Sequence, residues 1–284
     1  MISLIQKICC LNDEELGDFL YKFLVKKGYG DNKFLSYTNN YIIAEGKLPI
    51  CLVAHIDTVF SQPSADEDFL YDKNKHILWS PYGSGFDDRA GIAMILQIIE
   101  YEACRPSVIF TFEEEVGGVG AKGLIKDYPN CPFKECKAII ELDRAGEKDC
   151  VFYNCDNKEF QKYIESFGYE TKMGTFTDIS IIAPKWKIAA VNLSVGYIDE
   201  HTPSERLNFS WYNQNYRRLD NILIEANNMK FYKYITKSSY CTCYICNKVI
   251  DSSKTYSIGD IREEDFYKYY FPYRICEKCY KEYF

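Results

Sequence analysis

The stretch Cys51-Leu52-Val53-Ala54-His55-Ile56-Asp57-Thr58-Val59 decides how the rest of this chain is read. Its first four residues are all apolar, the pattern of a strand buried on both faces in the middle of a parallel sheet. His55 and Asp57 stand at its end. Two residues apart on an extended strand, they project from one face. Imidazole is a common metal ligand, and a neighbouring carboxylate fixes its tautomer and orientation. The same pair also suits a strand end capped by two solvated polar residues. The flanking sequence separates the two readings.

Upstream, Asn12 to Lys27 predicts a helix, with Asn12 or Asp13 as cap, Leu16, Phe19, Leu20, Phe23 and Leu24 on one face, and Gly28 and Gly30 as stops. Short strands are expected near 34–37 and 41–44. Phe69–Tyr71 and Ile77–Ser80 read as a hairpin, and its His76 reads as a surface residue. Downstream, Gly83-Ser-Gly-Phe-Asp87-Asp88-Arg-Ala-Gly91 runs into a helix from about Arg89 to Tyr101. Asp87 and Asp88 suit its N-terminus. A second buried strand, Ser107–Phe112, ends in Glu113, Glu114 and Glu115; a third, Lys137–Leu142, ends in Asp143. A fourth, Ile188–Leu193, is followed after a loop by His201-Thr-Pro. Further helices are expected over 121–128, 157–167 and 209–228, and Asp178 reads as the cap of another. Buried strands alternating with helices give an α/β fold. Several strands deliver an acid or a histidine at their C-terminal ends, where open α/β sheets place their ligand crevice. Gathering Asp87, Glu114, Glu115 and Asp143 there is costly by like-charge repulsion, and divalent cations would offset that cost.

Composition bounds the rest. The 284 residues, 47% of them hydrophobic, suit one large domain plus a small module. No apolar run approaches the ~20 residues of a membrane span. Met1–Leu11 is a short apolar stretch without a basic start or a cleavage site, so no signal peptide is expected. The net charge of −7 argues against nucleic acid as a partner. Thirteen cysteines, an odd number, point to a reducing compartment and a cytoplasmic protein, with thiols used for packing or metal.

The order of motifs resembles the co-catalytic zinc peptidases of peptidase clan MH: aminopeptidases, related carboxypeptidases and N-acyl amino-acid deacylases. The matching residues are His55-Ile-Asp57, Asp87-Asp88-Arg-Ala-Gly, Glu114-Glu115-Val-Gly, Asp143 and His201-Thr-Pro-Ser, across roughly residues 10 to 228. The resemblance implies a zinc-exopeptidase-like fold, with a mixed, largely parallel central sheet and helices on both faces. It implies two zinc ions, though cobalt or manganese would also suit the donor set. His55 and Asp143 would hold one metal, Glu115 and His201 the other, and Asp87 would bridge them. Glu114 would be the general base, Asp57 would orient His55, and a cis peptide is expected at Asp87–Asp88. The implied reaction is hydrolysis of an amide by water activated between the two ions. Only 34 residues separate Asp143 from Asp178, too few for the inserted lid domain of many deacylases and carboxypeptidases. That, with Asp rather than Glu at 143, favours an aminopeptidase acting on short peptides. The alternatives are an N-acyl amino-acid deacylase and a non-catalytic binding adaptor.

Beyond the catalytic domain, placed at 1–230, a second module is expected over 236–284. Cys243-Tyr-Ile-Cys246 and Cys276-Glu-Lys-Cys279, 29 residues apart, have the spacing of a structural zinc site, with Cys241 as a spare ligand. The pattern resembles a treble-clef or ribbon finger. A module this small needs the metal for much of its folding energy. Its 8 Lys and Arg against 7 Asp and Glu favour a protein partner or a structural role over nucleic acid.

Overall fold

The computed structural model describes residues 2–31, 34–101, 105–237, 240–246, 248–251, 255–258 and 273–283. The chain divides into two compact units, Met1–Ile235 and Thr236–Phe284. The first unit begins α1 (Ile2–Cys9), α2 (Asp13–Lys26), β1 (Leu35–Tyr37), β2 (Tyr41–Ala44), β3 (Leu48–His55), β4 (Leu70–Asp72), β5 (Ile77–Trp79) and α3 (Phe86–Tyr101). It continues β6 (Pro106–Thr111), α4 (Val119–Asp127), β7 (Ala138–Arg144), β8 (Asp149–Val151), α5 (Lys158–Glu165) and β9 (Glu170–Thr171). The remaining elements are α6 (Ile179–Trp186), β10 (Ala190–Ser194), β11 (Tyr197–Ile198), β12 (Arg206–Asn208) and α7 (Phe209–Glu225).

Eight strands form one sheet in the order β1-β2-β6-β3-β7-β10-β8-β9. Its centre, β6-β3-β7-β10, is parallel. This is the mixed, largely parallel sheet expected from the sequence. Each central strand is apolar on both faces because helices cover both. Ile50, Leu52 and Ala54 of β3 join Ile140, Val108 and residues of α1, α2, α3 and α7 in one core. Cys51 and Val53 join Ile139, Ile109 and residues of α4 and α6 in the other. The segment between Asp143 and Asp178 holds β8, α5 and β9, with both strands paired into the main sheet, and no lid domain. A smaller antiparallel sheet, β11-β12-β5-β4, carries the expected hairpin. Among the described residues no helix is long and apolar enough to cross a membrane.

Two local readings change. Residues 2–9, read only as an apolar stretch, form a helix with Ile5, Ile8 and Cys9 buried. Eight residues are too few to hold a helix alone. Tertiary contact does it: the buried Arg89 guanidinium donates to the carbonyls of Ile8 (3.2 Å), Cys9 (3.3 Å) and Leu11. Asp178 does stand before α6, but its side chain caps nothing. It is fully buried and accepts a hydrogen bond from Thr111 Oγ1.

The second unit has two antiparallel ladders, β13 (Tyr240–Thr242) with β14 (Val249–Asp251) and β15 (Thr255–Ile258) with β16 (Tyr273–Cys276), then α8 (Glu277–Tyr283). Cys243, Ile275, Cys276 and Cys279 are its buried centre.

Candidate active site

Strands β3, β6, β7 and β10 end along one edge of the sheet, and the candidate residues collect there. His55 closes β3, in register with Thr111 at the end of β6. Asp143 is the penultimate residue of β7. Glu114 and Glu115 follow β6, with Glu113 exposed in a left-handed conformation (φ 58°) and outside the cavity. Asp87 and Asp88 precede the regular part of α3 with non-helical backbone, joined by a cis peptide as expected. His201 sits in the turn between β11 and β12.

The His55 ring is buried, with Nδ1 2.9 Å from the Asp57 carbonyl. A carbonyl only accepts, so Nδ1 carries a proton, and Nε2 is the nitrogen a cation would take. Nε2 faces Asp87 Oδ1 at 3.2 Å and Asp143 Oδ1 at 3.5 Å. On the other side, His201 Nε2 lies 3.0 Å from Asp87 Oδ2 and 2.9 Å from Glu115 Oε1. The two oxygens of Asp87 thus face the two imidazoles, and the ligand atoms of His55, Asp87 and Glu115 also lie within 4.8 Å of one another. Asp57 orients His55 through its backbone carbonyl. Its carboxylate, 3.5 Å from Nδ1, instead accepts the Glu114 and Glu115 amide N–H groups at 3.0 and 3.1 Å. Asp88, also near His55 and Asp143, accepts the His55 backbone N–H at 3.2 Å. His76 stands apart in its hairpin, 3.2 Å from the Tyr71 hydroxyl.

Several supporting residues were not picked out from the sequence. Glu205, fully buried, accepts the N–H groups of Phe86 (3.0 Å) and Asp87 (2.9 Å), and so fixes the backbone of the bridging position. Thr177 Oγ1 donates to Asp143 Oδ2 at 2.8 Å, which leaves Oδ1 turned towards His55. The Tyr197 hydroxyl lies 3.2 Å from both Asp87 Oδ1 and Asp143 Oδ1. Only Glu205 had a clue, its place four residues after His201.

The electrostatics show what the site lacks as bare protein. Burial pushes the Glu114 carboxyl up to about 8, with Asp143, Asp178 and Glu115 adding to the rise against His55. Burial likewise takes Glu115 to about 6, and Asp87 adds to it. Burial alone would lower the His55 imidazole, but Asp143, Asp57 and Asp87 outweigh it and hold it well above its ordinary range. Asp87 raises His201 to about 9. Buried acids pushed towards their neutral forms and imidazoles held in their charged forms are what convergent carboxylates produce without a cation. The donor set of imidazole nitrogens and carboxylate oxygens suits zinc. A cavity of about 350 Å³ opens above these groups, lined also by Arg144, Tyr153, Phe176 and Glu200.

In the second unit the ligand atoms of Cys243, Cys246, Cys276 and Cys279 lie within 4.8 Å of one another. The Cys246 and Cys276 sulfurs are 3.9 Å apart, and Cys276 N–H donates to Cys243 Sγ at 3.4 Å. Four sulfurs about 2.3 Å from a tetrahedral zinc stand about 3.8 Å apart. The cluster therefore fits that ion.

Residues 42–180 match Peptidase family M28. The sequence has no significant match among curated proteins. Among solved structures, the fold is similar to an aminopeptidase from Bacillus cereus (TM-score 0.65, 14% identity, 80% of this chain and 98% of that one). It is also similar to a tripeptidase from Staphylococcus aureus (0.64, 12%, 80% and 98%) and to an aminopeptidase from the archaeon Desulfurococcus kamchatkensis (0.55, 16%, 79% and 94%). With the motif order, the fold and the family match in agreement, the chain carries a Peptidase family M28 domain of the co-catalytic zinc peptidases and is a zinc metallopeptidase.

Proposed function

We propose that the protein is an aminopeptidase that removes N-terminal residues from short peptides. The observation that carries the reading is the Asp87 carboxylate, whose two oxygens face His55 and Asp143 on one side and His201 and Glu115 on the other. In this reading His55 and Asp143 hold one zinc, His201 and Glu115 the second, and Asp87 is shared. When bound, the ions polarise the scissile carbonyl and lower the pKa of water between them. Glu114 accepts a proton from the attacking water and returns it to the leaving amine. Asp57 holds Glu114 and Glu115 in place through their amides. Outside the ligands and the base, the cavity offers Glu200 to a charged amino terminus and Arg144 to a carboxylate. The aminopeptidase and tripeptidase named among the similar structures agree with this choice. The four C-terminal cysteines hold a structural zinc in a module suited to docking a protein partner, and the protein works in the cytoplasm.

The test is a matched set of short peptides with free amino termini, the same peptides acetylated, and N-acetyl amino acids, each with and without chelator. Chelator-sensitive loss of N-terminal residues from the free peptides alone is expected. Cleavage confined to the acetylated compounds would make the protein a deacylase. No turnover by zinc-loaded protein would support the adaptor reading.

A further inference from the structure

We propose that Arg144 determines specificity: its guanidinium holds the C-terminal carboxylate of the substrate, so that the peptides cleaved are di- and tripeptides. The inference rests on the aminopeptidase reading above and names its substrate class. Arg144 directly follows Asp143 on β7, and both line the cavity. Among the described residues it is the only lysine or arginine in that lining. Its backbone is fixed: the residue is in register with Ser194 of β10, and its carbonyl accepts the Val195 N–H at 2.8 Å. The side chain is 32% exposed. Its ion pair, Nη2 to Asp149 Oδ2, is 3.9 Å long, beyond hydrogen-bond distance. Nε is buried and has no hydrogen-bond partner among the described residues. By contrast, Arg89, Arg206 and Arg218 each donate hydrogen bonds within the chain.

A guanidinium at a ligand cavity with its donors unspent fits a planar anion. Its parallel N–H groups match a carboxylate in a two-point contact. Glu200, the cavity acid outside the ligands and the base, is left for the amino end. Length follows from position. A peptide advances about 3.3–3.6 Å per residue, and an arginine side chain reaches roughly two such steps from its Cα. A carboxylate held there, next to Asp143 at the metal centre, belongs to a residue one or two beyond the scissile bond. A longer peptide would place a neutral amide at the same point. The bound chain would then exclude water from the guanidinium without pairing it. That penalty sets the length limit, because a charged donor left unpaired costs more than a missing contact.

The experiment measures kcat and KM of zinc-loaded, full-length protein on alanine di-, tri- and pentapeptides, each as the free acid and as the C-terminal amide. Dipeptide amides ending in glutamate or glutamine, and N-acetylalanine beside its amide, complete the set. The wild type should prefer the di- and tripeptide acids over their amides by about 10–100-fold in kcat/KM, the worth of a hydrogen-bonded charge pair. The pentapeptides should be slow and show no such preference. Arg144→Gln should erase the preference by slowing the acids alone, with zinc content and denaturation midpoint unchanged. Arg144→Lys keeps the charge without the planar fork and should retain part of it. Hydrolysis of free peptides with no preference for the acid overturns the inference and leaves the aminopeptidase reading standing. An equal loss on acid and amide in Arg144→Gln also overturns it, since Arg144 would then only support Asp143. So does an Arg144 dependence that follows the glutamate side chain instead of the terminus. A preference confined to N-acetylalanine overturns the aminopeptidase reading and the di- and tripeptide class, and keeps the carboxylate contact. No turnover of any compound overturns both.

Discussion

At the scale of single residues, each acid in the site has a distinct task set by what surrounds it. Glu114 touches no imidazole, yet its backbone N–H is held by Asp57 and its carboxyl is raised by burial. In the proposed reaction it is the group that moves the proton. Glu114→Gln should keep zinc content and thermal stability and lower kcat by about 10²–10⁴-fold; metal analysis beside steady-state rates checks this, and normal turnover would remove the base assignment. Asp178 is a different case. Burial pushes it up to about 7, and its one side-chain hydrogen bond among the described residues comes from Thr111. An acid whose folded pKa lies above its unfolded value binds protons on folding. Its favourable contribution is full below the unfolded value near 3.8 and is lost as pH rises through 7. In chelator-treated protein, Asp178→Asn should therefore flatten the fall in stability between pH 4 and 7 and raise stability at pH 8 by a few kcal/mol. Urea titrations across that range measure it. His201, held at about 9 by Asp87, adds a third expectation. A ligand must shed its proton, so zinc affinity should climb as pH rises towards 9, with net proton release on binding at pH 7. Calorimetry in two buffers of different ionisation enthalpy reads that release directly.

At the scale of elements, the start of α3 is the joint on which the site depends. Asp87 and Asp88 are non-helical, and Glu205 accepts the two N–H groups that the first turn leaves open. Arg89, one residue on, ties α1 and the entry to α2 to this joint and pairs with Asp13 at 2.8 Å. Gly91 lets α3 lie against β7: a Cβ there would stand 2.0 Å from the Leu142 carbonyl and 2.3 Å from Asp88 Oδ1. Leu142 precedes Asp143, so pushing α3 away would disturb Asp87 and Asp143 together. Gly91→Ala should cost at least the ~1–3 kcal/mol of an overpacked core and lower zinc affinity in the same variant. A variant with wild-type denaturation midpoint and zinc content would show that the helix has slack here.

At the scale of the whole molecule, two units are stabilised by different physics. Met1–Ile235 has two apolar cores, one on each face of an eight-stranded sheet. Thr236–Phe284 has a described core of Cys243, Ile275, Cys276 and Cys279 with Ile250 packed on it. For so small a described core, the structural zinc proposed above would supply much of the folding energy. One of the unit's thiols, Cys243, is already polarised. Burial opposes ionisation of Cys243, but the N–H groups of Cys246, Cys276 and Ile245 outweigh it and bring the thiol down to about 6. Cys276→Ser should remove hydrogen-exchange protection from the second unit and leave the amides of β3 and β7 protected. Loss of protection in β3 and β7 as well would show that the first unit depends on the second.

The sequence by itself determined the type and order of the catalytic unit's main elements, the sheet edge at which the site forms, and the identity of the acids and histidines gathered there. It could do so because buried parallel strands must be continuously apolar, and because an acid or imidazole at such a strand's end has few roles besides ligation. The four-cysteine cluster was legible for a similar reason, since two thiol pairs at that spacing are the pattern of a structural metal site. Tertiary structure alone decided the rest. Glu205 and Tyr197 act on Asp87 from 118 and 110 residues away, and Arg89 reaches back 80 residues to fix α1. A hydrogen bond depends on distance in space, and local pattern carries no record of it. That is also why Asp178 read as a helix cap: its position in the chain fits one, but its carboxylate is turned inward to Thr111.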